Sequence, residues 1–408
     1  MKTDMQTLVE GKNESQPPAA QVQAQNMDPD LAAVVEGNNE FAFDLYHRLA
    51  EKPGNKFFSP YSISTALGMT YAGARGNTAK EMAKTLHFTL DNEQLHSAFG
   101  ELIRKIQGAD KKRNYELAVA NSLWGNSDLS LDPKFLRITQ TDHQARFQFV
   151  NFSGDPTGSR RTINGWVEGK TNNKVVDLIS PELITEDTRL VLVNAIYFKA
   201  DWAVPFRKET TQSEEFIIPG TPAFKVLMMR NILTACYMEN DDLQLAQFMY
   251  KDNEVSMVVI LPKKKDGLAE VEKKLSAKVL EQALARVQEV RLQVALPKFK
   301  LTEGFPLAKE LGGLGMKDAF DPRVADFKGM VPIASLFIYA VVHKAFVGVD
   351  EKGTEAAGAT AVVMATDEYI KRLPPVPFRA DHPFLFLIRH NATGSVLFVG
   401  RVFDPRKN

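Results

Sequence analysis

Residues 190–198 read LVLVNAIYF and residues 255–262 read VSMVVILP. A strand with one wet face alternates apolar and polar residues, so such nearly continuous apolar runs require sheets covered on both faces. VRLQVALPKFKL alternates instead, with Val290, Leu292, Val294 and Leu296 on one side, and predicts a half-buried strand. PFLFLIRH and SVLFVGRV, separated by NATG, predict a hairpin that closes the chain. The first quarter has another texture. Phe41, Leu45 and Leu49, with Phe43 and Tyr46, recur at helical spacing before the breaker Pro53-Gly54. FFSPYSISTALGMTYAGARGNTAKEMAKTL then offers Ser59 as a cap, Pro60 in the first turn, a small-residue helix, and a second helix from Asn77 or Thr78. Helices come first and strands follow, without regular alternation or a fixed repeat. That order argues for an α+β fold with large mixed sheets.

A chain of 408 residues, 44% hydrophobic, can bury a large core. No long linker divides it, so residues 37–408 are expected to form one domain. Residues 1–36 are rich in Gln, Asn, Pro and acids and are expected to be a disordered tail. Fifty basic and fifty acidic residues cancel, so no global field recruits nucleic acid or an anionic membrane. Cys236 stands alone, which excludes an internal disulfide and a cysteine-based metal site. No apolar leader precedes a cleavage site, and no window approaches the roughly 20 apolar residues that span a bilayer. The expectation is a cytoplasmic chain, or an extracellular one whose N-terminus has been trimmed. Asn13, Asn151 and Asn391 head Asn-x-Ser/Thr triplets, which are common by chance.

The usual signatures of catalysis are missing. There is no HExxH, no cysteine pair and no GxSxG. Gly348 and Gly353 bracket four residues as in a phosphate loop, but Thr354 stands where the phosphate-reaching Lys is required. The seven histidines are scattered, and only two pairs, His87 with His96 and His382 with His390, lie within ten residues of each other. Lys111-Lys112-Arg113, beside Gly108 and Asn114, reads as a solvated turn rather than an anion patch. No enzyme activity, metal or cofactor is expected.

One stretch fits none of these patterns: VDEKGTEAAGATAVVMATDEYIKRLPPVPF, residues 349–378, between two apolar strand runs. From Gly353 to Ala361 every residue except Glu355 is Gly, Ala or Thr, and at strand spacing Thr354, Ala356, Gly358 and Thr360 share one face. By composition it reads as a linker or exposed loop, yet a structureless loop of this length inside a domain is uncommon and usually functional. EKGTEAAGATA resembles the hinge of the reactive-centre loop of inhibitory serpins. NKFFSPYSIS, VNAIYFKADWAVPF, VVHKAFVGVDEKGTEAA and FRADHPFLFLIRHNATGSVLFVGR resemble further serpin segments in serpin order, over about Asn38 to Pro405. The C-terminal segment is most similar to the ovalbumin-like branch.

The resemblance implies a large mixed central sheet, two smaller sheets, eight to nine helices and an exposed reactive-centre loop at about 351–378. It implies a suicide-substrate inhibitor, expected to be a monomer. A target protease cleaves the loop and forms an acyl-enzyme, and the cut hinge (Glu351, Gly353, Thr354, Glu355, Ala356, Ala357, Gly358, Ala359, Thr360) enters the central sheet as a strand. Ser59, Ser62, Asn194 and His343 match the polar cluster beneath the point where that sheet opens, and Trp202 matches the aromatic residue at the top of the opening. Counting about fourteen residues on from Gly353 places the bait bond at Asp367–Glu368. Thr366 and Tyr369 are register alternatives. An acidic bait residue calls for a basic pocket in the protease. The alternative is a non-inhibitory serpin with a chaperone, carrier or storage role.

Overall fold

The computed structural model describes residues 27–108, 113–333, 335–354 and 373–407. Nine α-helices lie among them: α1 (Pro29–Ala50), α2 (Pro60–Tyr71), α3 (Gly76–Thr85), α4 (Asn92–Gln107), α5 (Pro133–Thr141), α6 (Pro156–Lys170), α7 (Leu268–Lys274), α8 (Ala277–Leu284) and α9 (Ala308–Leu314). The first begins at Pro29, inside the segment expected to be a tail. The Asp28 side chain accepts from the backbone N–H groups of Asp30 (3.0 Å) and Leu31 (3.3 Å). Leu31, Val34 and Val35 are buried against α4, which fixes an early start despite the polar composition. Residues 1–26 lie outside the described residues. As expected, Ser59 caps α2 by accepting from the Ser62 N–H at 3.1 Å, with Pro60 at its first position.

A six-stranded central sheet runs in the order β10 (Phe299–Pro306), β11 (Ala340–Val349), β12 (Gly353–Thr354), β4 (Leu190–Asp201), β2 (Tyr115–Asn126) and β3 (Phe147–Val150). It is mixed: β11–β4 and β2–β3 are parallel, while β10–β11, β12 with both neighbours, and β2–β4 are antiparallel. The two smaller sheets expected from the resemblance are hydrogen-bonded into one nine-strand system. Its order is β1 (Lys56–Phe58), β15 (Val396–Val402), β14 (Phe384–His390), β8 (Val255–Pro262), β7 (Leu243–Met249), β6 (Phe224–Glu239), β9 (Gln288–Pro297) and β13 (Val376–Arg379), with β5 (Gln212–Phe216) also on β6. The 16-residue β6 joins the halves, pairing with β9 over most of its length and with β7 only from Cys236 to Glu239. VRLQVALPKFKL, expected as one strand, is divided at Lys298 between β9 and β10, which belong to different sheets.

β4 shows why an unbroken apolar run was needed. Ile196, Phe198 and Ala200 enter the core shared with the nine-strand system, whereas Val191, Val193 and Ala195 enter a separate core under α6. Both faces are covered, so neither has room for solvated side chains. The terminal hairpin β14–β15 forms as expected, with Gly394 at φ +76 in its turn. Among the described residues no helix is long and apolar enough to cross a membrane.

Candidate functional site

The segment singled out by composition enters the structure at the middle of the central sheet. Strands β4 and β11 pair directly from Val191–Ala340 to Tyr197–Phe346. Above that the seam is parted by two residues, for Gly353 pairs with Asp201, and Thr354 with Ala200 on one side and Val349 on the other. Gly348 and Gly353, which bracketed a failed phosphate loop, instead flank a turn closed by the Asp350 N–H donating to Gly353 O at 2.9 Å. A Cβ on Gly353 would lie 2.1 Å from the Ala200 carbonyl oxygen, so only glycine fits so close to β4.

A polar and aromatic cluster holds this upper end. Trp202, just past β4, donates its indole N–H to Asp350 O at 3.0 Å and its backbone N–H to Lys352 O at 2.9 Å. Its ring stacks on Tyr250 with centroids 4.5 Å apart and planes 8° from parallel. The Tyr250 hydroxyl shares a 2.6 Å hydrogen bond with Thr354 Oγ1, and burial pushes that phenol far above its ordinary pKa. Thr354 is fully buried. The Glu351 carboxylate, 5% exposed, accepts from Lys298 Nζ at 2.7 Å and Thr211 Oγ1 at 2.9 Å. Burial alone would raise the carboxyl's pKa, but hydrogen bonds from Lys298, the Glu351 backbone and Thr211 outweigh it and hold the group below the usual carboxylate range.

A second cluster closes the seam lower down. Asn121, Asn194 and His343 lie side by side on β2, β4 and β11. Asn194 donates from Nδ2 to Ser62 Oγ (2.7 Å) and Asn121 Oδ1 (2.5 Å), while Ser62 Oγ donates to Asn121 Oδ1 at 3.0 Å. His343 Nε2 accepts the Ser59 N–H at 3.2 Å, which leaves Nδ1 as the donor to Asn194 Oδ1. Both ring nitrogens are therefore committed in the neutral form. Burial draws the imidazole pKa down to about 3. Ser59 Oγ donates to Leu397 O at 2.6 Å and so ties the row to β15.

The structure thus assembles Ser59, Ser62, Asn194 and His343 into one network and places Trp202 beside Glu351, Gly353 and Thr354. Glu355, Ala356, Ala357, Gly358, Ala359 and Thr360, and the bait candidates Thr366, Asp367, Glu368 and Tyr369, lie outside the described residues. A family model described as serpin (serine protease inhibitor) matches residues 36–405. The chain is a serpin. It is 38% identical to the human leukocyte elastase inhibitor, the match covering 90% of this chain and 98% of the relative. It is 40% identical to an uncharacterized serpin-like protein of Thermococcus kodakarensis, over 91% of this chain and 86% of the relative. Among solved structures, uncleaved ovalbumin superposes with a TM-score of 0.83 at 28% identity, covering 91% of this chain and all of ovalbumin. Human thyroxine-binding globulin, solved as a ligand complex, gives 0.82 at 31%, covering 92% and 99%. The mixed α+β architecture is the serpin fold, and the ovalbumin-like branch expected from the C-terminal segment is where such relatives lie. The family is one of protease inhibitors, not of enzymes.

Four side chains in this serpin escaped the sequence reading, among them Thr211, whose partner Glu351 lies 140 residues away. Asn121 had a usable signal, an amide in the middle of YELAVANSLWGN just as Asn194 interrupts LVLVNAIYF. Tyr250 and Lys298 had none, because their partners lie 104 and 53 residues away.

Proposed function

We propose that this serpin inhibits a target protease as an irreversible suicide substrate, residues 37–408 acting as one unit and 351–378 as bait. The observation that carries the reading is β12: two hinge residues already hydrogen-bond between β4 and β11 and head down the seam. If the antiparallel register of β12 continues, Ala356, Gly358 and Thr360 follow Thr354 on the core face. Thr360 then arrives between Asn194 and His343, which pair with each other in the intact chain. Glu355 falls on the opposite face beside Lys199, where its charge finds a cation. Gly and Ala fit a closely packed core, and Thr360 meets polar groups. About ten new ladder residues at roughly 1 kcal/mol net per hydrogen bond rival the stability of a whole domain. The intact state is then held by kinetics rather than equilibrium.

The chemistry belongs to the protease. Its serine hydroxyl attacks the Asp367 carbonyl carbon and passes its proton, through the protease's base, to the amide nitrogen of Glu368. The C–N bond breaks, an ester joins Asp367 to the protease, and Glu368 becomes a free N-terminus. Insertion of the hinge carries the ester away from the bait position before water reaches it. The acidic Asp367 selects a protease with a basic pocket. No cofactor enters, and the inhibitor acts as a monomer.

Incubation with proteases of acidic, basic and aromatic preference tests this on denaturing gels, with mass spectrometry of the released peptide. A covalent band with a peptide beginning at Glu368 is expected; clean cleavage by every protease overturns the inhibitor reading. The likeness to thyroxine-binding globulin favours a carrier as the second reading. Heating separates the two, since a loop-cleaved inhibitor should melt about ten degrees or more above the intact chain and a non-inserting carrier should not.

A further inference from the structure

Away from the seam, two histidines meet inside the helical layer. His96 of α4 and His143, in the turn that leads from α5 into β3, are 2% and 4% exposed, and His96 Nδ1 lies 3.0 Å from His143 Nε2. Their rings cross edge to face with centroids 5.1 Å apart. Aromatic rings wall them in: Tyr71 at the end of α2 lies 6.3 Å from His96, Phe99 of α4 lies 5.4 Å from His143, and Phe88 touches both Tyr71 and Phe99. The two outer nitrogens, His96 Nε2 and His143 Nδ1, are buried and have no hydrogen-bond partner among the described residues. The charged groups nearby are engaged elsewhere. Glu101 pairs with Lys105 at 3.4 Å, Asp91 accepts from the Glu93 and Gln94 N–H groups, Asp142 accepts from Thr141 Oγ1 at 3.1 Å, and His87 is held by Asp44 at 2.8 Å. Glu93, Arg104, Arg137 and Arg146 are exposed.

The neutral pair shares one proton, so one ring donates and the other accepts. Whichever tautomer is taken, one outer nitrogen is a buried N–H with no acceptor and the other a buried lone pair with no donor, so packing alone would favour two apolar rings here. An added proton is worse placed still. On the accepting inner nitrogen it breaks the contact, and on the outer nitrogen it buries an unpaired cation. Burial accordingly draws His96 down to about 4, and burial with the neighbouring His96 draws His143 well below its ordinary 6.5. Rings that reach water take up protons first, so acid favours their release. The turn that carries His143 is the weaker partner. Gln144 is held at φ 50, in the left-handed region, and the His143 N–H reaches Ile138 O only at 3.4 Å. Beyond it β3 is a four-residue edge strand paired with β2 alone. We propose that the His96–His143 pair is an acid-operated clasp between α4 and the turn from α5 into β3, and that proton uptake by both rings releases the turn and uncovers the wall of Tyr71, Phe88 and Phe99. The clasp does not depend on the insertion reading above.

Hydrogen exchange of the intact chain from pH 6 to pH 4.5, with labelling times scaled to the intrinsic rate at each pH, reads the opening peptide by peptide. Each released ring takes up one proton in this range, so the opening constant of residues 142–150 should rise about 100-fold per pH unit in the parent. His96→Gln and His143→Gln should each reduce that to about tenfold per unit, whatever they do to stability, and the double variant should be flat. Residues 288–297 of β9, which contain no histidine, should keep their protection throughout. A parent slope of about tenfold per unit or less, a slope untouched by either substitution, or an equal slope in β9 overturns the clasp. Where a variant does not fold, the parent's slope and its confinement to 142–150 decide alone.

Discussion

The two ends of the β4–β11 seam use the same kinds of side chain for opposite purposes. At the top, Trp202, Tyr250 and the Glu351–Lys298 pair hold the strands around Gly353 and Thr354, so the sheet is already open by two residues. Lower down, the bond from His343 to Asn194, backed by Asn121, Ser62 and Ser59, keeps the strands paired directly. The upper cluster shapes a start for a strand and the lower one is a polar row that an incoming strand must interrupt. Apolar packing alone would seal both ends alike. Directional hydrogen bonds make one end parted and the other shut.

Breaking the upper end has the largest expected effect. Thr354 is already buried between β4 and β11 and bonded to Tyr250, so an arginine there expels β12 from the top of the seam, and re-entry of the hinge on insertion would take an unpaired charge into the core at a cost of several kcal/mol. Thr354→Arg is expected to fold and to be cleaved by the target protease at an unchanged rate. The covalent complex should fall more than about tenfold, since 1.4 kcal/mol already corresponds to tenfold. Complex yield on a denaturing gel reads the effect directly. An undiminished yield would mean that trapping does not require residue 354 to lie between β4 and β11.

The lower end responds to acid. His343 titrates near its ordinary 6.5 in the unfolded chain and only near 3 when buried, so folding favours the neutral ring. Its contribution is complete above pH 6.5 and is lost progressively as the pH falls toward 3, because the unfolded state binds the proton first. His96 and His390, each drawn down to about 4 by burial, slope the same way. The useful quantity is therefore the difference between the parent and His343→Gln, which cannot take up that proton. The variant should lose about 1–3 kcal/mol at pH 7, and its urea midpoint should fall less than the parent's between pH 7 and pH 5. Parallel curves would show that the histidine's charge state has no part in closing the seam.

Much of this contrast was written locally, and some of it was not. The Ser59 cap with Pro60, the two-faced apolar run of β4 and the NATG turn depend on neighbours in sequence, and the structure forms each. The start of α1 was missed because Leu31, Val34 and Val35 follow a long polar stretch and show their purpose only against α4. Tyr250 was invisible for a related reason: the turn after it, with Asp252 and Asn253 in left-handed conformations, aims its ring at Trp202, 48 residues earlier in the chain. The split of VRLQVALPKFKL between two sheets likewise depends on where β6 and β11 lie, which no local pattern encodes.

The smallest expected effect sharpens the upper end rather than breaking it. Lys298, 32% exposed, supports a Glu351 carboxylate that is 5% exposed, and Lys298→Ala leaves that carboxylate with Thr211 and its own backbone. A partly exposed partner is worth little, so the loss at pH 7 should be about 1 kcal/mol. The pH dependence carries more information than that magnitude. In the parent the carboxyl lies below its usual 4.5, so its contribution is present above that pH and is lost as the pH falls below it. Without Lys298 burial is opposed by fewer hydrogen bonds, and the carboxyl should titrate higher than in the parent. The variant's deficit should then stay level at neutral pH and shrink as the pH falls through the carboxylate range, from the variant's higher carboxyl pKa down to the parent's below 4.5, while the deficit of His343→Gln shrinks over the imidazole range nearer 6. Urea midpoints at half-unit intervals separate the two profiles. A Lys298→Ala deficit constant from pH 7 to pH 4 would mean that the ammonium only packs against the hinge, and that Thr211 and the Glu351 backbone fix the charge at the upper end.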